Sequence, residues 1–234
     1  MREKTATKFL LSSRPDYSAK VHNYVIIAPL LLDKNSNRVL KAFYRTLCVG
    51  LAEDLGTLLL SELLLSDASR KLLLDISRPK HQRYVITKTL TDFLFGPSPI
   101  FQTLLELNLI GHLFRPFGFR TPTKHLCQAL VANKVQHFDY GLIGNKQRYG
   151  TIWPPAYDLS KMRCENWMLV AAENDPFCRL DDVRKLIATT PKKPFRHIYL
   201  KNSNHLDTVG LVDIDIKVNL PISEFMDAFP LNDR

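Results

Sequence analysis

The chain has 234 residues, 45% hydrophobic and 24% charged, which places it in the ordinary globular range as one domain or one domain carrying a large insertion. Its formal charge of +9 is scattered in short groups such as PKKPFR, so the expectation is a solvated surface and no nucleic-acid partner. Cys48, Cys127, Cys164 and Cys178 are too widely spaced for a zinc pattern, and no metal or cofactor is expected.

The opening MREKTATKFLLSS has a basic start and only a short apolar patch, so no signal peptide is expected and localisation stays open. Residues 4–13 read as a helix that ends before Pro15 and Asp16. The run YVIIAPLLL (24–32) is continuous and apolar, the pattern of a strand buried on both faces.

A long segment of helical character follows. In LGTLLLSELLLSDASRKLLLD, the residues Leu55, Leu58, Leu59 and Leu63 recur at helical spacing, while Glu62, Asp67, Arg70 and Lys71 interrupt the run. These charges exclude a transmembrane helix, since about 18 apolar residues never accumulate. Turn signals stand at FGPSP (95–99) and FRPFGFRTP (114–122).

After PPAYDLSK (154–161) the texture changes. WMLVAAEN (167–174) reads as a second buried strand, DDVRKLIA (181–188) as a helix with acidic residues in its first turn, and FRHIYLKN (195–202) as a third strand. A strand-helix-strand succession predicts parallel pairing through a right-handed crossover. The carboxyl ends of both strands then open on one edge of the sheet, where α/β proteins place their sites.

Asp175 follows the second strand and His205 follows the third. As neighbours, the carboxylate would hold the imidazole through Nδ1 and leave Nε2 as a general base. Asn-Asp is also a common turn pair, and a loop histidine is often only solvated.

The ordered series SSRPDYSAKV (12–21), VIIAPLLL, VQHFDYGLIGNKQRYG (135–150), PPAYDLSKM (154–162), ENDPFCRLDDVRKL (173–186) and NHLD (204–207) resembles the acid lipases, the gastric and lysosomal-type enzymes and their insect relatives. The resemblance covers nearly the whole chain and implies an α/β class, a partial α/β-hydrolase fold comprising the last strands of the parallel sheet. Residues 1–32 and 151–234 would form that core, and 33–150 a large helical cap insertion. It implies Asp175 and His205 as the acid and base of a serine-dependent ester hydrolase, with a neutral lipid ester as substrate and peripheral contact with a lipid surface. Phe93, Phe95, Phe101, Phe114, Phe117 and Phe119 would line an acyl pocket or serve helix packing.

The chain also departs from that family. The G-H-S-x-G elbow that carries the Ser nucleophile falls, by spacing, at about Met1, where MREKT supplies neither Gly nor Ser. Ser12, Ser13, Ser203 and Cys178 do not replace it convincingly, and NHLD continues with Thr208, Val209 and Gly210 instead of an aromatic residue and Trp-Gly. Loss of a triad nucleophile costs about a millionfold in kcat, so the isolated chain is expected to be essentially inactive on esters. Two readings stay open: a lipase-family carboxylic ester hydrolase of neutral lipid catabolism, seen without its Ser nucleophile, and a catalytically inactive lipase-like protein that binds lipid or a protein partner.

Overall fold

A computed structural model describes residues 17, 20–29, 42, 71, 84–99, 124–125, 128–129, 131–132, 134–162 and 165–230. The expected helix at 4–13, the leucine-rich run apart from Lys71, the turn at 114–122, Cys48, Cys127, Cys164 and four of the six phenylalanines lie outside these residues. Two compact units are present. One comprises Met1–Leu31, Phe95–Phe101 and Tyr157–Arg234, the other Leu32–Leu94 and Gln102–Ala156. The sequence boundaries, 33–150 against the rest, differ from this mainly at Phe95–Phe101, which groups with the sheet, and at residues 151–156, which group with the second unit.

The first unit is an α/β structure. Its sheet has the order β1 (Asn23–Ile27), β2 (Asn166–Ala172) and β3 (Arg196–Leu200), with every pair parallel. Ile26 lies opposite Leu169, and Leu169 opposite His197. Six of the seven β2 residues are buried, because β2 is central and covered on both faces.

β1 alternates instead: Tyr24 and Ile26 are buried while Val25 and Ile27 are half-buried. Among the described residues no strand pairs with its other side. The continuous apolar run predicted a strand through residue 32, of which 30–32 lie outside the described residues; the regular register ends at Ile27. At Ala28 the chain turns left-handed, at φ 44°, while Ala28 N–H still donates to Val170 O at 2.9 Å. A residue with a Cβ disfavours this conformation, so the regular register breaks at Ala28.

Alternation of side chains divides the core into two layers. Tyr24, Ile26, Trp167, Leu169 and Ala171 pack with Val183 and Leu186 of α3 (Leu180–Thr189) on one face. Met168, Val170, Ala172 and Leu200 pack with Val218 and Phe225 on the other. Phe225 belongs to α5 (Leu220–Ala228), which follows a π-helical turn at Asp215–Asn219. Pro221, near the start of α5, has no N–H to donate, which accords with a widened turn before it.

The crossover helix α3 carries its own start signal: Asp182 Oδ2 accepts the Arg179 N–H at 3.2 Å, and Asp181 shares the first turn. Trp167, almost wholly buried, satisfies its indole N–H on Lys192 O at 2.8 Å, as a buried tryptophan requires. The short helix α4 (Asp207–Gly210) lies beyond β3.

The second unit contains α1 (Tyr84–Phe95) in nearly its whole length and α2 (Gly141–Tyr149). Around α2 the FDYG block acts as a structural knot. Buried Asn145 accepts from Tyr140 N–H at 2.9 Å and donates to Asp139 Oδ1 at 2.8 Å and Ile152 O at 3.0 Å. Asp139 Oδ1 also takes the Gly141 N–H, and Gly150 at φ 73° closes the helix in the left-handed conformation glycine favours. No helix among the described residues is long and apolar enough to cross a membrane.

His197 is half-buried on β3, its Nε2 has no hydrogen-bond partner among the described residues, and burial holds its pKa below the ordinary 6.5. A histidine that must charge in the unfolded state first favours unfolding as pH falls below 6.5. Thermal unfolding should therefore move to lower temperature between pH 7.5 and 5.5, and His197→Gln should flatten part of that dependence. Removing Phe225, wholly buried in the second layer, should cost about 3–5 kcal/mol in a Phe225→Ala variant followed by denaturant unfolding.

Candidate functional site

The loops that leave β2 and β3 at their carboxyl ends are tied to each other by main-chain bonds. Glu173 N–H donates to Leu200 O at 3.0 Å and Asn174 N–H to Ser203 O at 2.9 Å, continuing the sheet's spacing beyond its last residues. Glu173 then accepts the Asn202 N–H through its carboxylate at 2.8 Å. Asn202 itself is left-handed at φ 51°, which asparagine tolerates better than most residues, and this bend turns the chain back over the sheet edge.

These constraints bring Asp175 and His205 together. His205 Nδ1 lies 2.7 Å from Asp175 Oδ2, across 30 positions of sequence. The Asp175 side chain is fully shielded from solvent whereas His205 remains partly open. The other carboxylate oxygen, Oδ1, takes the Phe177 N–H at 2.8 Å, so both oxygens of this buried group are satisfied. A carboxylate can only accept, which assigns the bonded proton to Nδ1; in the neutral imidazole the lone pair is then on Nε2.

Further contacts hold the imidazole plane. The Phe177 ring meets His205 edge-on, with centroids 5.0 Å apart and planes at 72°. His205 N–H donates to Phe95 O at 3.1 Å, and Thr208 Oγ1 donates to His205 O at 2.8 Å. The preceding Asn204 is wholly buried: its Oδ1 accepts the N–H groups of Leu206 and Asp207, its own N–H reaches Asp207 Oδ2 at 2.7 Å, and its Nδ2 donates to Gly96 O at 3.0 Å.

Among the described residues no hydroxyl is hydrogen-bonded to Nε2. Ser203, considered as a nucleophile from sequence, is buried and donates to Lys201 O at 3.0 Å. Cys178 is fully buried in the first core layer, where it behaves as a small apolar side chain. Nor do the described residues contain a group of three or more His, Cys, Asp or Glu placed to hold a metal ion.

Sequence reading singled out Asp175 and His205 but passed over Phe177, Asn204 and Gly96. The glycine in FGPSP was the available signal, since a buried glycine in a turn marks backbone that other residues cannot adopt. Asn204 stood in the quoted NHLD segment without a role of its own.

No family model and no curated protein matches the chain. Among solved structures it is similar to an alpha/beta hydrolase fold protein from Nakamurella multipartita, at 12% identity and a TM-score of 0.45. The match covers 95% of this chain and 65% of that one, so the chain spans less than two thirds of that protein's length.

Deleting the carboxylate in Asp175→Ala leaves the Phe177 N–H and the imidazole without their partner, which should cost about 1–3 kcal/mol. A strongly downfield Nδ1 proton resonance, recorded by NMR on histidine-labelled protein, should be present in the parent and vanish in this variant.

Proposed function

We propose that Asp175 and His205 are the acid and base of a carboxylic ester hydrolase that works by acyl transfer. The observation that carries this reading is the 2.7 Å bond from Nδ1 to the shielded carboxylate, with Nε2 left unbonded among the described residues above the carboxyl edge of a parallel sheet. A histidine held in this tautomer takes a proton from a hydroxyl as that oxygen attacks the ester carbonyl carbon, then returns it to the departing alcohol. It repeats the exchange with water, which releases the acid and regenerates the hydroxyl. Asp175 meanwhile orients the ring and offsets the charge that forms on it.

The reading requires a serine hydroxyl outside the described residues. The acid-lipase motif series supports serine as the nucleophile and a neutral lipid ester as the substrate. The same series supports peripheral contact with a lipid surface, where such esters collect.

The test uses the protein translated from its complete coding sequence, labelled with a fluorophosphonate probe and assayed on nitrophenyl butyrate and on emulsified triglyceride. Labelling and turnover are expected, with kcat falling on the order of 10⁴-fold in Asp175→Asn and 10⁶-fold in His205→Ala. Turnover that survives His205→Ala would overturn the assignment. Soluble folded protein with neither labelling nor turnover would favour the second reading, an inactive lipase-like protein that binds lipid or a protein partner.

A further inference from the structure

The FGPS turn at 95–98, which marks only a chain break in the sequence, meets both loops of the Asp175–His205 pair through three successive main-chain carbonyls. Phe95 O accepts His205 N–H at 3.1 Å, Gly96 O accepts Asn204 Nδ2 at 3.0 Å and Pro97 O accepts Asn174 Nδ2 at 2.8 Å. The donors are the histidine itself and the residues immediately before each member of the pair. One short turn thus staples the loop after β2 to the loop after β3.

Gly96 makes the close approach feasible. Its φ is +93°, and a Cβ there would stand 1.8 Å from Asn174 O, 2.9 Å from the Asn174 carbonyl carbon and 3.4 Å from Asn204 Cβ. Two of these are main-chain atoms that cannot swing aside, so neither the space nor the backbone conformation admits another residue. Any side chain at 96 must push the turn away from the two asparagines.

We propose that the 95–98 turn is a positioning device for the dyad and that Gly96 is its indispensable residue. The turn sets the separation of the two loops so that Nδ1 meets Asp175 Oδ2 and Nε2 keeps one direction. Its catalytic consequence rests on the ester-hydrolase reading; its geometric consequence does not. Misplacing a reacting group by about 1 Å costs on the order of 10²-fold in rate, so a staple that fixes this spacing acts on kcat and not on ground-state binding.

The experiment compares Gly96→Ala and Asn174→Ala with Gly150→Ala, all in the protein from the complete coding sequence. Gly150 is also left-handed, at φ +73°, but a Cβ there would meet nothing within 4 Å, so its variant reports backbone strain without the clash. The Nδ1 proton resonance of His205 should broaden or disappear in Gly96→Ala and exchange faster with solvent in Asn174→Ala. It should stay unchanged in Gly150→Ala even if thermal stability falls equally. Ester turnover should drop about 100-fold in kcat for Gly96→Ala and about 10-fold for Asn174→Ala, with KM within about twofold of the parent.

Should Gly96→Ala fail to fold, the milder Asn174→Ala decides. An unchanged resonance, exchange rate and kcat in folded variants at both positions would overturn the proposal. A resonance lost at position 96 in a parent protein with no esterase activity would retain the positioning role and overturn the hydrolase reading instead.

Discussion

The parallel pairing of β2 with β3 is the constraint on which the candidate site depends. Because both strands run the same way, their carboxyl ends emerge side by side, and the loops that follow must cross the same edge. The crossover through α3 is what allows this direction, and its burial on one face of the sheet holds the two strands in register. An antiparallel arrangement would have sent Asp175 and His205 to opposite ends of the sheet.

From that arrangement the geometry of the candidate site follows in steps of decreasing scale. Main-chain bonds from Glu173 and Asn174 extend the strand spacing into the loops, and the left-handed Asn202 bends one loop over the other. The carboxylate of Asp175 is shielded yet fully bonded, so its position costs little desolvation that is not offset. His205 is buried enough to be fixed and open enough for Nε2 to meet another group. His205 commits Nδ1 to the carboxylate, and among the described residues no hydroxyl is bonded to Nε2; under the proposed hydrolase reading this nitrogen exchanges the proton with a hydroxyl.

The motifs divide by what they do. FDYG and the residues around Asn145 form a hydrogen-bonded knot that starts and closes α2, a structural task that explains their pattern without substrate. ENDPF and NHLD, by contrast, each pair a structural residue with a member of the proposed dyad. Phe177 N–H bonds to the Asp175 carboxylate itself, whereas Asn174 and Asn204, which precede Asp175 and His205, bond to the main-chain carbonyls of Pro97 and Gly96.

Much of this was legible in the residues themselves, because local physics decides it. Apolar runs announce strands, so WMLVAAEN and FRHIYLKN predicted β2 and β3 to within two residues, and the acidic first turn announced α3. The order of those elements implied parallel strands and a shared edge for Asp175 and His205. Tertiary structure alone decided where β1 ends, since the left-handed Ala28 is held by Val170 across the sheet. It alone also brought the Gly96 turn to asparagines 77 and 108 positions away from their partners in sequence. Periodicity and turn propensity are properties of neighbours along the chain, whereas the meeting of three carbonyls with two distant loops exists only once the sheet has formed.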